Sequence, residues 1–304
     1  MTKGSFEVGV STLWMPTDQK GGLTLFEALE RVKRRGFRTV ELVPGRFPRA
    51  SYPNDRTSVG FYPDSVGERF MEKLTEVLTD FNTVTVHSPH MELNIASLND
   101  GIREESLRQF YQCVDIGKRL GADVVTFHHG GAVNGTNPRL EKIIDYNVQF
   151  GREALRRAGD TDIQLGFEIL GGALADREFE LLKETILRIG SDKFGINLDV
   201  GHVNIVNGGN AVEWAREFGD SVKEIHLHGT YYRSDREPGF TTHSPVSQED
   251  CIIFEDLFSV LEEFEFGGPI ITEIHAPDLG TYLDYSVEAK EMVGSFIIQG
   301  GIDS

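Results

Sequence analysis

The chain has 304 residues, of which 39% are hydrophobic and 26% charged, a composition typical of a globular protein large enough for a sizeable core. Its 48 acidic and 30 basic residues give a formal net charge of -18, which disfavours nucleic acid and anionic membrane surfaces as partners. The only cysteines, Cys113 and Cys251, argue against a disulfide framework or a thiolate metal site, and both are expected to be buried thiols.

Eight segments have strand-like composition, and each is followed by a helical pattern of apolar residues. The predicted strands are residues 6–10, 38–44, 82–90, 123–131, 163–170, 195–202, 222–229 and 268–275. The predicted helices are residues 24–35, 64–80, 102–120, 138–158, 176–189, 210–218, 250–264 and 283–298. Thr24 with Glu27 is a candidate capping box, and Gly121 is a candidate helix C-cap.

Eight strand-then-helix units without a linker or a low-complexity break predict an α/β protein with one domain over residues 1–304, a (β/α)8 TIM barrel. An open doubly wound sheet is the alternative, but no GxGxxG follows the first strand. The long loop over residues 43–62 is expected to act as a lid, and it is expected to select the substrate together with residues 229–247.

No apolar run has the character of a signal peptide or approaches the length of a membrane helix. The sequence therefore predicts a cytoplasmic protein without membrane partners.

Several strands end in an acidic residue or a histidine. Because side chains alternate between the two faces of a strand, the polar residues at every second position share one face, and the apolar residues between them share the other. The polar face is predicted to line the barrel interior and to end at its C-terminal mouth, where barrel active sites lie. Its last members on the six strands concerned are His87, His128, Glu168, Asp199, His226 with His228, and Glu273.

Burying this many ionisable groups together is costly unless something compensates, and metal coordination is the usual answer. Carboxylate and imidazole ligands without a thiolate favour manganese, zinc, cobalt, iron or magnesium. A single strand-end histidine or acid is more often a hydrogen-bonded core group or a cap. Their recurrence on one face of successive strands favours a metal site for the set.

In order along the chain, these motifs resemble the xylose-isomerase-like barrels, which group sugar (phosphate) isomerases and epimerases with enzymes of the endonuclease IV type. The segments that carry the resemblance are HSPHMELNIAS (87–97), TFHHGG (126–131), GFEIL (166–170), NLDVGHVN (197–204), EIHLHG (224–229), THSPVSQED (242–250) and ITEIH (271–275).

The epimerase branch of this family implies one divalent metal held by Glu168, Asp199, His226 and Glu273, with His228 as the alternative to His226. Glu168 and Glu273 would also be the catalytic acid/base pair on opposite faces of the substrate. The resemblance implies proton transfer through a metal-stabilised cis-enediolate, with a small carbohydrate as substrate and a place in carbohydrate metabolism. His202, assigned to the loop after the sixth strand, would contact a substrate hydroxyl.

The endonuclease branch implies two or three zinc ions, with further ligands that look like His87, His128, His202 and His243. The chain departs from that pattern at Thr241, where the family has an acidic residue. A multi-zinc phosphoesterase acting on a small phosphoester is therefore the second hypothesis, and a non-catalytic ligand-binding barrel is the third. Arg233 and Arg236 are candidates for a substrate phosphate or hydroxyl, although solvated loop charges are the simpler interpretation, and a homo-oligomer stays open.

Overall fold

The computed structural model describes residues 6–16, 23–45, 59–131, 139–171, 175–206, 209–233, 239–247 and 250–300. The ten strands in this part of the chain, β1 to β10, are Val8–Ser11, Thr39–Leu42, Thr83–His87, Val124–His128, Gln164–Glu168, Phe194–Asp199, Val222–Leu227, Gly229–Arg233, Gly239–Ser244 and Ile270–Thr272. The nine α-helices, α1 to α9, are Leu25–Arg34, Glu68–Leu78, Asp100–Leu120, Leu140–Ala158, Glu178–Ile189, Val200–Ile205, Ala211–Phe218, Phe254–Glu263 and Leu279–Gly300.

Eight parallel strands form a closed barrel in the order β1-β10-β7-β6-β5-β4-β3-β2, which confirms the predicted (β/α)8 TIM barrel. The ring closes where β1 pairs with β10, with Val8 opposite Ile270. The buried hydroxyl of Tyr282 on α9 lies at this seam. It accepts a hydrogen bond from the Ser11 amide (2.9 Å) and donates one to the Thr272 carbonyl oxygen (2.8 Å), so it links the first strand to the last.

The apolar face of the strands contacts the outer helices, as the alternation predicts. Phe127 of β4 and Phe167 of β5 pack around Phe150 of α4, with ring centroids 4.9 and 5.6 Å from it. Phe110 of α3 and Phe194 of β6 extend this aromatic layer. The opposite face is polar and turns into the barrel, so the strand ends bring their ionisable groups to one mouth.

Two local predictions about the helices are confirmed. Thr24 and Glu27 form the capping box at the start of α1, and Gly121 ends α3 with a positive φ of 67°. The prediction for the cysteines is half wrong, since Cys113 is buried but Cys251 is exposed.

Residues 195–202 do not form one strand: β6 ends at Asp199, whose side chain caps α6 by accepting a hydrogen bond from the His202 amide. His202 therefore lies on a short helix, and its assignment to a loop is wrong. The predicted loop over 229–247 is also wrong in part, because β8 and β9 pair there as an antiparallel hairpin outside the barrel. Most of the predicted lid, residues 46–58, falls outside the described residues.

A buried ion pair fastens the loops that follow β4 and β5. His129 Nε2 lies 2.7 Å from Glu178 Oε1 at the start of α5, and the Glu178 carboxylate also accepts the Leu170 and Gly171 amides at 2.6 and 2.9 Å. A carboxylate in the first turn also has favourable interactions with the helix N-terminus.

Within the described part of the chain, none of the helices combines the length and apolar character that crossing a bilayer requires.

Candidate metal centre

Four strand-end side chains meet at the C-terminal mouth of the barrel: Glu168, Asp199, His226 and Glu273. Each places one ligand atom within 4.8 Å of the others, and all four residues are buried. His226 Nδ1 lies 3.4 Å from Glu168 Oε1, 3.8 Å from Asp199 Oδ2 and 3.5 Å from Glu273 Oε2. The structure thus brings together the four residues that the resemblance singled out, with His226 rather than His228 in the group.

The donor atoms of this cluster fit a divalent cation. Asp199 Oδ2, His226 Nδ1 and Glu273 Oε1 are buried and have no hydrogen-bond partner. Buried polar atoms without partners are costly, and a cation between Asp199 Oδ2 and His226 Nδ1, which lie 3.8 Å apart, would compensate both. Three carboxylates and one imidazole are ligands for manganese, iron, cobalt, zinc or magnesium.

Surrounding side chains orient each of these groups. Glu168 Oε2 lies 2.8 Å from His87 Nε2 and 2.9 Å from His128 Nε2. His226 Nε2, on the far side of the ring from the cluster, lies 3.2 Å from Glu41 Oε2. Asn197 Nδ2 also contacts this nitrogen, at 2.7 Å, and the Glu41 carboxylate behind the ring raises the basicity of His226 as a ligand.

The environment separates the proton affinities of the two glutamates. Burial acts to raise the pKa of Glu168, but His128 and the other imidazoles around it outweigh burial and hold that pKa well below its usual range. Burial raises the pKa of Glu273 to about 7, although the charge of His226 opposes it. Burial would lower the pKa of His226, yet the carboxylates of Glu273 and Glu41 raise it well above its usual value.

Next to Glu168, a second group of possible ligands contains His87, His90 and His128. His90 and His128 stack with ring centroids 4.3 Å apart, and His87 stands edge-on to both, at 5.6 and 5.3 Å. His87 Nδ1 donates to the Ser88 carbonyl oxygen at 2.7 Å. Burial disfavours the charged form of His87, but Glu168 outweighs it and raises the pKa of His87 to about 9.

A third group of possible ligands contains His202 of α6, His228 between β7 and β8, and His243 of β9. His202 Nδ1 lies 3.1 Å from Asp199 Oδ2, and its Nε2 lies 3.2 Å from His243 Nε2. Trp14 stacks on His243 at a centroid distance of 4.0 Å, and His275 meets Trp14 edge-on at 4.5 Å. Aromatic rings therefore cover this side of the mouth.

Sequence reasoning missed several residues of the mouth: Trp14, Glu41, His90 and His275. Glu41 was within reach of the alternation argument, because it is the last residue on the polar face of β2, as Asp199 is on β6. The side chain of Arg233 and all of Arg236 lie outside the described residues.

A family model and several known proteins are similar to this chain over most or half of its length. A family model described as a xylose isomerase-like TIM barrel matches residues 29–293. An uncharacterized protein of Methanocaldococcus jannaschii is 27% identical over 194 residues, which are 62% of this chain and 64% of that protein. A probable endonuclease 4 of Aquifex aeolicus is 27% identical over 157 residues, 48% of this chain and 52% of that protein. The chain thus spans about half to two thirds of these two relatives.

A solved structure of a D-tagatose 3-epimerase-like protein superposes with a TM-score of 0.73 at 21% identity, covering 97% of this chain and 99% of that one. At this identity the likeness establishes the fold.

Proposed function

The chain belongs to the family of xylose isomerase-like TIM barrels, and on that premise we propose that it is a divalent-metal-dependent isomerase or epimerase of a small sugar or sugar phosphate. The observation that carries the proposal is the buried cluster of Glu168, Asp199, His226 and Glu273, in which three donor atoms lack partners. A bound divalent ion would supply Lewis-acid polarisation of the substrate oxygens.

The protein's own groups supply the proton transfers. Glu168 is ionised, and the hydrogen bonds from His87 and His128 fix its orientation, as a general base requires. Glu273 enters from a different strand end and is the second carboxyl within reach of the same point. One carboxylate would remove a proton from carbon and the other carboxyl would return one. Return to the same carbon on its opposite face inverts that centre, whereas return to the neighbouring carbon, with a hydroxyl proton passing between the two oxygens, moves the carbonyl.

The more exposed side of the cluster supports a substrate entrance beside two of the imidazoles. The side chains of His128 and His202 are 24% and 16% exposed, whereas those of the four proposed ligands are 3% exposed or less. These two imidazoles therefore border the space above the cluster, where they can donate to or accept from substrate hydroxyls. This supports a small polar substrate, consistent with a carbohydrate.

The decisive experiment compares Glu273→Gln with Glu224→Gln. Both residues are buried carboxyls whose pKa burial raises to about 7, but Glu224 lies deeper in the barrel, bonded to Thr126 and Asn197. With a panel of ketoses, with and without phosphate, we expect Glu273→Gln to lower kcat about 10²–10⁴-fold, the usual range for losing a general acid or base. Glu224→Gln should retain turnover. Wild-type turnover in a folded Glu273→Gln variant would refute the assigned role.

A multi-metal phosphoesterase is the second candidate, favoured by the group of His87, His90 and His128 beside Glu168 and by the endonuclease 4 relative. Metal analysis of the purified protein separates the two functions. One ion per chain supports the isomerase, whereas two or three support the phosphoesterase. A protein that retains none of the metals supplied would instead be a ligand-binding barrel.

A further inference from the structure

His228 has both ring nitrogens in hydrogen bonds within the protein. Its Nδ1 lies 2.8 Å from the His243 amide nitrogen, and its Nε2 lies 3.0 Å from Asp199 Oδ1. An amide N–H can only donate, so Nδ1 accepts and carries no proton. The single ring proton is then on Nε2, where it is donated to the Asp199 carboxylate. Nδ1 also lies 3.3 Å from the Gly229 carbonyl oxygen, but a proton placed there would leave the His243 amide without its acceptor.

This arrangement divides the two oxygens of Asp199 between two tasks. Oδ1 accepts the His228 ring proton and also the His202 amide proton at 2.7 Å. Oδ2 accepts no hydrogen bond, because the nearby His202 Nδ1, at 3.1 Å, donates to the Ile169 carbonyl oxygen, and it lies beside the donor atoms of the proposed metal centre. Fixing one carboxylate oxygen with two donors orients the other, which is how supporting hydrogen bonds prepare a ligand for its metal.

The other end of the His228 ring is held by an unusual piece of backbone. His243 has a positive φ of 53°, a conformation costly for a residue with a side chain. Its amide donates to His228, and its carbonyl oxygen accepts the His275 amide at 2.7 Å. Because His243 is in β9, its amide bond connects the hairpin of β8 and β9 to the His228 ring, and its carbonyl bond connects the hairpin to the segment after β10. Gly201 makes room for the ring, since a Cβ there would overlap it.

We propose that His228 is a positioning residue that transmits the placement of the hairpin to the metal ligand Asp199. The inference rests on the proposed function, because it assigns Asp199 to the metal. It also removes His228 from the candidate ligands, since a metal on either nitrogen would break one of the two hydrogen bonds. His228 is therefore a support for the metal centre, held between Asp199 and the backbone of His243.

Two substitutions separate the two halves of this role. In His228→Asn, the amide group takes the place of Nδ1 and can still accept the His243 amide, but nothing reaches Asp199. In His228→Gln, the amide group takes the place of Nε2 and can still donate to Asp199, while the acceptor for His243 is lost. A residue needed only to fill space would not distinguish these variants.

Metal affinity is measured by competition with a chromogenic chelator, without substrate, and exchange of the His243 amide proton is followed by NMR. We expect His228→Asn to bind manganese or zinc about 10–100-fold more weakly, the usual cost of losing such a support, with His243 still protected. His228→Gln should bind metal within about threefold of wild type, with faster exchange at His243.

Equal metal affinity in His228→Asn and wild type would overturn the inference while leaving the proposed function intact. So would a pair of variants that lose both properties together. A wild-type chain that binds no metal would overturn both. A wild type that binds metal but converts no ketose would refute the isomerase and leave the role of His228 standing.

Discussion

The buried pair of His129 and Glu178 allows a quantitative test of how the mouth of the barrel is held. In Glu178→Gln, one carboxylate oxygen becomes an NH2 group. In the wild type, the carboxylate accepts three hydrogen bonds, from His129, Leu170 and Gly171. In the variant these three donors have only one acceptor oxygen, and the charged His129 ring loses its counterion. Removing one member of a buried ion pair costs about 3–5 kcal/mol of unfolding free energy.

The assay is urea unfolding of the wild type and the variant, with Glu180→Gln as the matched control. Glu180 is in the same helix, but its side chain is 67% exposed and 4.0 Å from Arg177, so its loss should change stability by no more than about 0.5 kcal/mol. If Glu178→Gln costs as little as Glu180→Gln, the reasoning about this pair is wrong.

The same pair predicts a pH window. Burial acts to raise the pKa of Glu178, but His129 outweighs it and lowers that pKa below the ordinary 4.5, so this contribution is present above 4.5 and is lost as the pH falls through the lowered value. Burial acts to lower the pKa of His129, but Glu178 outweighs it and raises that pKa above 6.5, so this contribution is complete below 6.5 and is lost as the pH rises through the raised value. The stability difference between wild type and Glu178→Gln should therefore be largest from about pH 4.5 to 6.5.

Two further predictions concern the metal centre. Metal must displace a proton from Glu273, whose pKa burial raises to about 7, and from His226, whose pKa the neighbouring carboxylates raise well above its ordinary value. Chelator competition should therefore show metal affinity rising about tenfold or more per pH unit below pH 7. A pH-independent affinity would contradict the ligand assignment. Gly201→Ala should lower unfolding stability by about 1–3 kcal/mol and weaken metal binding, because its Cβ would overlap His228. Gly294→Ala in α9, where a Cβ meets open space, is the control and should not destabilise the protein. If thermal melts show the same change in stability for both variants, the overlap at Gly201 is refuted.

The eight barrel strands and the inward face that carries the proposed ligands were predictable from a period of two, whereas the choice of four ligands among the strand-end acids and histidines came from the family resemblance. Once the polar face is assigned to the interior, the last inward residue of each strand must reach the same mouth. Glu168, Asp199 and His226 are placed by this rule. Glu273 lies one residue beyond β10, but its amide still bonds to the Leu227 carbonyl oxygen, which continues the strand geometry.

Features that depend on a few local contacts were not predictable. Helix α6 has six residues, too few for a helical period to be recognised, and it depends on Asp199 as its cap. The strands of the hairpin, GTYYR and GFTTHS, are short and polar and pair outside the barrel. The role of His228 depends on the backbone amide of His243, a contact that no alternation pattern encodes.

The seam between β1 and β10 also shapes how the chain must be made. Val8 obtains its partner only when Ile270 has been synthesised, which at about 5–20 residues per second leaves the edge of β1 open for on the order of 10–50 s. An unpaired strand edge is a template for association with other chains. A nascent or truncated chain that ends before Ile270 keeps both β1 and β7 exposed, and it also lacks the Tyr282 hydroxyl that links Ser11 to Thr272. The pairing of β10 with both strands, followed by the docking of α9, is therefore the step that covers these two edges.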